Sequence, residues 1–267
     1  MKIGETTCRG IMNRSGIEGV TYAVNPYIGC SHGCVYCYAR FMTRWYHQGE
    51  KWGTFVDVKK NAVECLRREA PRKPFGTVLF SSVTDPYQPV ERKFRATRGL
   101  LEVLRDYTFP VEILTKSSLV QRDLDVLGEI DQAEVGLTIT SMSDDVRRVF
   151  EPNASPVSER LETLGLFSDA GIPTYAFLGP LLPYLSEESV EPLVDGLADK
   201  VSRVIVDRLN IKAGNWRCIE TALGDNYPEL LGRFREASRD ESPYYDGLRS
   251  RMRLLLAKRG IPSDIIF

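Results

Sequence analysis

Histidine and excess charge are both scarce in this sequence. The 267 residues include only two histidines, His32 and His47, and the net charge at pH 7 is −1. Because histidine is the side chain most often used to move protons and activate nucleophiles, conventional acid–base or nucleophilic catalysis has little to work with. A net charge this small creates no overall field that would attract nucleic acid.

Long apolar runs are also missing, so we expect no membrane partner. A membrane span needs about 20 consecutive apolar residues, and the first ten residues, MKIGETTCRG, lack the apolar core of a signal peptide. The composition, 43% hydrophobic and 27% charged, is that of an ordinary soluble globular protein. We therefore expect a cytoplasmic protein, in which thiols stay reduced and clustered cysteines indicate a metal.

Three of the six cysteines are gathered in one short stretch. They are Cys30, Cys34 and Cys37, with the spacing C-x3-C-x2-C, in the segment NPYIGCSHGCVYCYAR. Cysteines this close in sequence make strained disulfides, but they can converge on one metal centre. Soft thiolates select zinc, copper(I) or an iron–sulfur cluster.

The count of three ligands separates these possibilities. Structural zinc usually takes four ligands in two separated pairs, and ferredoxin-type clusters normally use four cysteines. The local fourth candidate, His32, is wedged between two cysteines, and we expect it to shape the loop. The remaining cysteines, Cys8, Cys65 and Cys218, share no pattern with the loop. A cubane cluster held by three thiolates leaves one iron open for a ligand.

The rest of the chain alternates strand and helix patterns. Six βα units predict a parallel sheet with right-handed crossovers, and an open six-stranded barrel fits better than the closed eight-unit barrel, which typically needs about 250 residues. We predict an irregular lead-in over 1–19, the barrel over 20–215 and a helical extension packed on it over 216–267. The predicted strands are 20–24, 77–82, 111–115, 135–140, 173–178 and 204–209, and the predicted helices are 58–70, 96–107, 119–130, 155–169, 187–200 and 245–258.

The cysteine loop resembles that of the radical SAM superfamily. The pattern there is C-x3-C-x-φ-C with an aromatic residue at φ, and Tyr36 fills that position. The resemblance implies an α/β fold, a partial (β/α)6 TIM-like barrel of the radical SAM type with a helical C-terminal tail. It also implies a 4Fe-4S cluster on the three cysteines, S-adenosyl-L-methionine (SAM) on the open iron, and an electron donor such as ferredoxin or flavodoxin. The cofactor would be cleaved to a 5′-deoxyadenosyl radical that takes a hydrogen atom from an unidentified substrate: nucleic acid, peptide or small metabolite.

Polar residues follow the other predicted strands, where such a barrel surrounds its cofactor. By the resemblance, Tyr36 lies near the adenine of SAM and Lys116 pairs with its carboxylate. The other implied SAM contacts are Ser82, Thr84 and Asp85 to the amino group, Thr138, Thr140 and Ser141 to the ribose or carboxylate, and Arg160 to the carboxylate. The alternatives are that the Ser and Thr side chains make turns and that the Lys and Arg side chains are solvated.

A closer resemblance is to the spore photoproduct lyase and DNA-repair-photolyase-like group. Characterised lyases of that group cleave a thymine dimer, and a cysteine after the second strand returns a hydrogen atom. Ser81 and Ser82 stand there in this chain, and an O–H bond is stronger than the S–H bond it would replace. The segments that carry this resemblance are NPYIGCSHGCVYCYAR, SSVTDPYQPVE, LTKSS and EPNASPVSERL.

Cys218 has two interpretations, and two other classes of protein are alternatives to an enzyme. Cys218 follows the sixth strand, where it would act as a hydrogen donor or substrate-linked thiol, or else be a buried helix cysteine. The alternatives to an enzyme are a non-catalytic iron–sulfur electron carrier and a zinc-binding module. We expect a monomer.

Overall fold

The computed structural model describes residues 1–212, 214–239 and 242–267, which form two sheets flanked by helices. The larger sheet has eight strands in the order β11-β10-β9-β8-β7-β6-β3-β2, parallel except for the edge pair β2–β3, and the smaller one has the order β1-β5-β4. The strands are β1 (Lys2–Thr6), β2 (Met12–Arg14), β3 (Tyr22–Val24), β4 (Tyr27–Ile28), β5 (Phe55–Lys59), β6 (Val78–Phe80), β7 (Val111–Thr115), β8 (Ala133–Thr138), β9 (Thr174–Leu181), β10 (Arg203–Arg208) and β11 (Ser263–Ile265).

Helices connect the parallel strands and cover the outside of the large sheet. The predicted open α/β architecture is confirmed, because the two edge strands β2 and β11 do not pair with each other. In the described part of the chain, no helix is both long and apolar enough to cross a membrane. The α-helices are α1 (Ala62–Glu69), α2 (Glu91–Phe94), α3 (Ala96–Leu104), α4 (Leu124–Gly128), α5 (Asp144–Phe150), α6 (Val157–Asp169), α7 (Val190–Leu197), α8 (Trp216–Asn226), α9 (Leu231–Ala237) and α10 (Tyr244–Lys258).

The main core lies between the large sheet and these helices. Strand side chains such as Ile113 and Val135 are fully buried, and they meet helix side chains such as Leu100 and Leu164. The C-terminal helix α10 packs against α7 and β11 and buries Met252 completely, as its apolar periodicity predicts. This core fixes the relative positions of the strand ends at which the functional residues lie.

Several predicted elements differ from those observed. The helix predicted from residue 58 begins at Ala62, because Val58 lies in β5, which pairs with both β1 and β4. The helix predicted over 119–130 is a 3₁₀ helix, Ser118–Asp123, followed by α4, and the one predicted over 187–200 is a 3₁₀ turn followed by α7. An apolar face at helical spacing is compatible with each of these shorter pieces, so the pattern alone does not separate them.

Both chain ends contain strands that were not predicted. Residues 1–19, expected to be irregular, include β1, which pairs with β5, and β2, which forms the antiparallel edge of the large sheet. The described residues of 216–267 form α8, α9 and α10, as predicted, and also β11, which pairs in parallel with β10. The three residues of β11, Ser-Asp-Ile, carry no alternating apolar pattern that would reveal a strand.

Candidate active site

A cavity of about 1290 Å³ opens where the parallel strands end and continues into the interior of the open barrel. Leu79, Leu114, Phe177 and Ile205 line its middle. They come from β6, β7, β9 and β10, whose alternating side chains face the interior. The cysteine loop lies at the carboxyl-end opening, which is the catalytic side of parallel α/β barrels.

The three loop cysteines all line this cavity. Cys30 and Cys34 are 7% and 6% exposed, Cys37 is half-buried, and all three are free thiols. Burial is the largest cause that raises the pKa of each thiol, and the neighbouring thiols add to it for Cys30 and Cys34. A metal centre bound here would therefore displace protons from the sulfurs.

The turn into the loop depends on a glycine between β4 and Cys30. Gly29 has φ +84°, and a Cβ atom there would lie 2.5 Å from the carbonyl oxygen of Phe55 in β5. A side chain is excluded by both the backbone conformation and the neighbouring strand. The small sheet thus sets the direction in which Cys30 enters the cavity.

Gln88 holds the first half of the loop in place. Its Oε1 accepts hydrogen bonds from the amide of Ser31 at 2.8 Å and from its hydroxyl at 3.1 Å. Its Nε2 donates to the hydroxyl of Thr84 at 2.9 Å and to the carbonyl of Gly29 at 3.3 Å. One fully buried side chain thereby ties the cysteine loop to the loop after β6.

His32 shapes the loop, as expected, through contacts on both sides of its ring. Its Nδ1 lies 2.9 Å from the carbonyl of Asn153, and its Nε2 lies 3.3 Å from a carboxylate oxygen of Asp85. Asn153 also donates from Nδ2 to the carbonyl of Ser31 at 2.9 Å. Both ring nitrogens are engaged with the surrounding chain.

Asp85 is the centre of a second buried network. Its carboxylate accepts hydrogen bonds from the hydroxyl of Thr115 at 2.6 Å and from the amides of Tyr87 and Lys116, each at 2.9 Å. Although burial opposes ionisation, His32, Thr115 and Lys116 together lower the pKa of Asp85 to about 2. Asp85 therefore braces the loop after β6 against the end of β7. It also lines the cavity, and its expected contact with a SAM amino group stays a prediction.

Tyr36 leads into a third buried network. Its hydroxyl donates to Glu151, whose other oxygen lies 2.6 Å from a terminal nitrogen of Arg160. Arg160 also donates to the carbonyls of Thr138 and Ser155, each at 2.8 Å. Arg160 is fully buried, does not line the cavity and pairs with the carboxylate of Glu151. Its expected contact with a SAM carboxylate stays a prediction.

Lys116 stands on the cavity wall. Its ammonium group lies 5.9 Å from the ring centroid of Tyr36 and, within the described residues, makes no hydrogen bond or ion pair. Desolvation lowers the pKa of Lys116, but Cys34, Glu151 and Asp85 outweigh it and the net shift is upward. The cavity thus contains a retained positive charge close to the thiols.

The remaining predicted residues divide between the cavity and its surroundings. Ser82, Thr84 and Thr138 line the cavity, as does Ser81, whose hydroxyl has no partner and whose φ is +74°. The three that lie outside are engaged elsewhere: Thr140 with Glu151, Ser141 with Ser189 and Leu185, and Cys218 with the guanidinium of Arg40.

Several residues that hold the site were not predicted. Trp52 lines the cavity, and its side chain lowers the pKa of Cys37 against the larger effect of burial. Buried Asn215 donates to the carbonyl of Tyr36 at 2.9 Å, and Arg40 donates to the carbonyls of Cys37 and Val35. Gln88 lies in SSVTDPYQPVE and Arg40 ends NPYIGCSHGCVYCYAR, two segments that the sequence did single out, whereas Trp52 and Asn215 lie outside the quoted segments.

No group of three or more His, Cys, Asp or Glu side chains in the described ranges is arranged to hold a single metal ion. The fit of a cluster rests on other observations. Three soft donors on one loop line one cavity, and an unpaired ammonium group and an unpartnered buried hydroxyl line the same cavity. Thiolate donors suit iron–sulfur clusters, and the positive charge offsets the charge of the bound group.

Known proteins with similar sequences include one from an archaeon and one from a phage. An uncharacterized protein of Methanocaldococcus jannaschii is 37% identical over 218 residues, which are 82% of this chain and 81% of that protein. The radical SAM Nalpha-GlyT isomerase of Pseudomonas phage M6 is 24% identical over 177 residues, which are 65% of this chain and 36% of that protein.

Structural similarity and a family model point the same way. Spore photoproduct lyase complexed with dinucleoside spore photoproduct superposes with a TM-score of 0.73 at 18% identity, over 98% of this chain and 81% of that one. The family model of the radical SAM superfamily matches residues 24–197, well over half of the chain. The chain therefore belongs to the radical SAM superfamily and is an enzyme with the fold of spore photoproduct lyase.

Proposed function

We propose that this enzyme binds a 4Fe-4S cluster through Cys30, Cys34 and Cys37 and cleaves SAM reductively in the adjoining cavity. The observation that carries the proposal is that all three thiols line the same cavity, at the carboxyl ends of the parallel strands. When bound, the reduced cluster supplies one electron to SAM, which yields a 5′-deoxyadenosyl radical able to abstract a hydrogen atom. An electron donor such as ferredoxin or flavodoxin would reduce the cluster.

The protein's own contribution is to position these groups and exclude water. The Gln88 and Asp85 networks fix the loop against the ends of β6 and β7. Lys116 offers the cavity one cation that is unpaired among the described residues, which suits a ligand carboxylate. The aliphatic and aromatic middle of the cavity limits the access of water, which would otherwise quench a reactive radical.

The cluster assignment is tested by metal content. After anaerobic reconstitution, we expect about four irons and four sulfides per chain in the wild type, as for a cubane cluster. Cys30→Ala, Cys34→Ala and Cys37→Ala should each lower this content, while the matched variant Cys218→Ala should retain it. Zinc in place of iron after anaerobic purification would favour a zinc-binding module. A full cluster that leaves the EPR spectrum unchanged when SAM is added would favour an electron carrier.

We further propose that the substrate presents a nucleobase. A ridge of three aromatic rings, Tyr38, Phe41 and Trp45, runs outward from the cavity on the 3₁₀ helix that follows Cys37. Tyr38 and Trp45 are 51% and 65% exposed, and their rings lie 6.5 Å and 5.7 Å from that of Phe41. Proteins bind single-stranded nucleic acid by stacking bases on exposed aromatic rings and by placing cations along the backbone. Arg44 on the same helix is exposed and supplies one cation.

Two relatives support this class of substrate. The spore photoproduct lyase structure contains a dinucleoside, and the phage relative is named an Nalpha-GlyT isomerase. The aromatic ridge is the feature of this chain that would bind a flanking base while the target base enters the cavity.

Binding of a labelled single-stranded oligonucleotide tests the ridge. We expect Trp45→Ala to weaken binding about tenfold, since base–aromatic stacking contributes about 1–3 kcal/mol. The control is Phe75→Ala, because Phe75 is 66% exposed and precedes β6, at the amino ends of the parallel strands and not at the carboxyl ends where the ridge lies. Equal effects of the two variants, or no binding by the wild type, would contradict the nucleobase proposal and leave the cluster assignment untouched.

A further inference from the structure

Two cysteines that are distant in sequence meet outside the cavity. The Sγ atoms of Cys8 and Cys65 are 3.8 Å apart, although 57 residues separate them. Cys8 follows β1, and Cys65 lies in α1, whose buried face is turned toward the N-terminal segment. Neither residue lines the cavity or belongs to the cluster loop.

The backbone around this pair is fixed by a single side chain. Asn61 accepts a hydrogen bond from the amide of Cys8 and donates one to its carbonyl, each at 2.8 Å. Asn61 precedes α1 directly, so this paired contact anchors residue 8 to the start of the helix that carries Cys65. The two sulfurs are thus held in contact by the fold and do not meet by chance collision.

The two thiols differ in their surroundings. Cys65 is 1% exposed, and its sulfur lies 3.5 Å from Nδ2 of Asn61 and 3.4 Å from a guanidinium nitrogen of Arg68. Cys8 is half-buried. A small reagent therefore reaches Cys8 first.

We propose that Cys8 and Cys65 form a reversible intramolecular disulfide by exchange with a low-molecular-weight disulfide such as oxidised glutathione. The Cys8 thiolate attacks one sulfur of the reagent, which gives a mixed disulfide and releases one glutathione thiol. The Cys65 thiolate then attacks the Cys8 sulfur and releases the second. Two protein thiols are oxidised, one glutathione disulfide is reduced to two thiols, and the two protons go to the leaving thiolates.

Closing the bond shortens the distance between the two sulfurs. The sulfurs must approach from 3.8 Å to the disulfide length of about 2.05 Å. The product would join the segment after β1 to α1, and so fasten the small sheet whose strand β4 leads into Cys30. The link would constrain this part of the fold independently of what the cluster or the cavity does.

The exchange should be slow at neutral pH and faster in alkali. Burial, then the neighbouring Cys65, raises the pKa of Cys8 to about 11. Since the thiolate is the attacking species, the first step should accelerate about tenfold per pH unit between pH 7 and 9.

Peptide mapping of the anaerobic holoenzyme tests the proposal. Tryptic cleavage after Lys2, Arg9, Lys60 and Arg67 gives peptides 3–9 and 61–67, each with one cysteine. After treatment with oxidised glutathione and alkylation of free thiols, we expect these two peptides to be linked, and to separate on reduction. The linked protein should melt about 5 °C higher than the reduced one.

Variants separate the steps. Cys65→Ser should retain glutathione on Cys8, Cys8→Ser should give neither link nor adduct, and the control Cys218→Ser should form the link like the wild type. The proposal is overturned if the wild type at pH 9 keeps glutathione on Cys8 without the link, or remains unmodified. It is also overturned if Cys8 or Cys65 pairs instead with a loop cysteine and iron is lost.

Discussion

Lys116 places one positive charge in the cavity. This charge would offset the negative charge of three thiolates and a carboxylate ligand. Its ammonium faces the cavity without a partner among the described residues, and its amide independently braces Asp85. Replacing the side chain therefore removes the charge and leaves the backbone network in place.

We expect Lys116→Met to weaken SAM binding by about 10- to 100-fold, the loss of one charge-assisted hydrogen bond. The measurement is a titration of the reconstituted protein with SAM, with Lys60→Met as the exposed control. Iron content and melting temperature should stay at wild-type values in both variants. Unchanged SAM affinity in Lys116→Met would show that the ammonium does not contact the cofactor.

Asp85 makes a pH-dependent contribution to stability. Its pKa in the folded state, about 2, lies below the ordinary value of 3.8, so the contribution is complete above about pH 5 and is lost as the pH falls through 2. A shift of this size corresponds to about 2 kcal/mol.

Asp85→Asn should therefore lower the melting temperature by about 5 °C at pH 7, and the difference should shrink as the pH falls from 4 toward 2. Parallel thermal melts of both proteins across this range measure it. A difference that stays constant down to pH 2 would mean that the carboxylate contributes through packing and not through its charge.

At the scale of elements, the packing of β8 against β9 requires a glycine at position 136, opposite Tyr175. A Cβ atom on Gly136 would lie 2.2 Å from the ring of Tyr175. That ring is 1% exposed, and the guanidinium of Arg203 lies 4.4 Å from its centroid. These contacts hold the ring in place.

Gly136→Ala should destabilise the protein by about 2–3 kcal/mol through overpacking, measured as the change in free energy of unfolding. Adding Tyr175→Leu should recover much of this loss, which a double-mutant cycle detects. Gly165→Ala in α6 is the matched control, because its new Cβ would meet its nearest neighbour, the Lys200 side chain, at 3.7 Å. If the losses from the two substitutions simply add in the double variant, the Tyr175 ring is not what excludes a side chain at position 136.

Strands and helices were predictable where the spacing of apolar residues matched only one kind of element. The strand over 111–115 has the predicted bounds, and α10 begins one residue before the predicted start. Val58 was misplaced because it continues the apolar face of α1 while β5 takes it into a sheet. Pairing with β1 and β4 overrides the local pattern, and that pairing cannot be read from the segment alone.

For the whole molecule, the site was predictable as far as its residues are local in sequence or lie at strand ends. The three cysteines are close neighbours in the chain, and Lys116 and Thr138 reach the cavity because parallel strands end at one edge. Arg160 was expected to contact a SAM carboxylate, because nothing in the sequence indicates that its partner Glu151 is buried beside it. The contact of Cys8 with Cys65 likewise depends on tertiary structure.

Formation of 5′-deoxyadenosine tests the central proposal most directly. The reconstituted protein is incubated anaerobically with SAM and dithionite, with and without a single-stranded oligonucleotide, beside Cys34→Ala and the control Cys218→Ala. The account predicts 5′-deoxyadenosine from the wild type and from Cys218→Ala, and none above background from Cys34→Ala. A wild type that holds a complete four-iron cluster, binds SAM and still forms no 5′-deoxyadenosine under any of these conditions would contradict it.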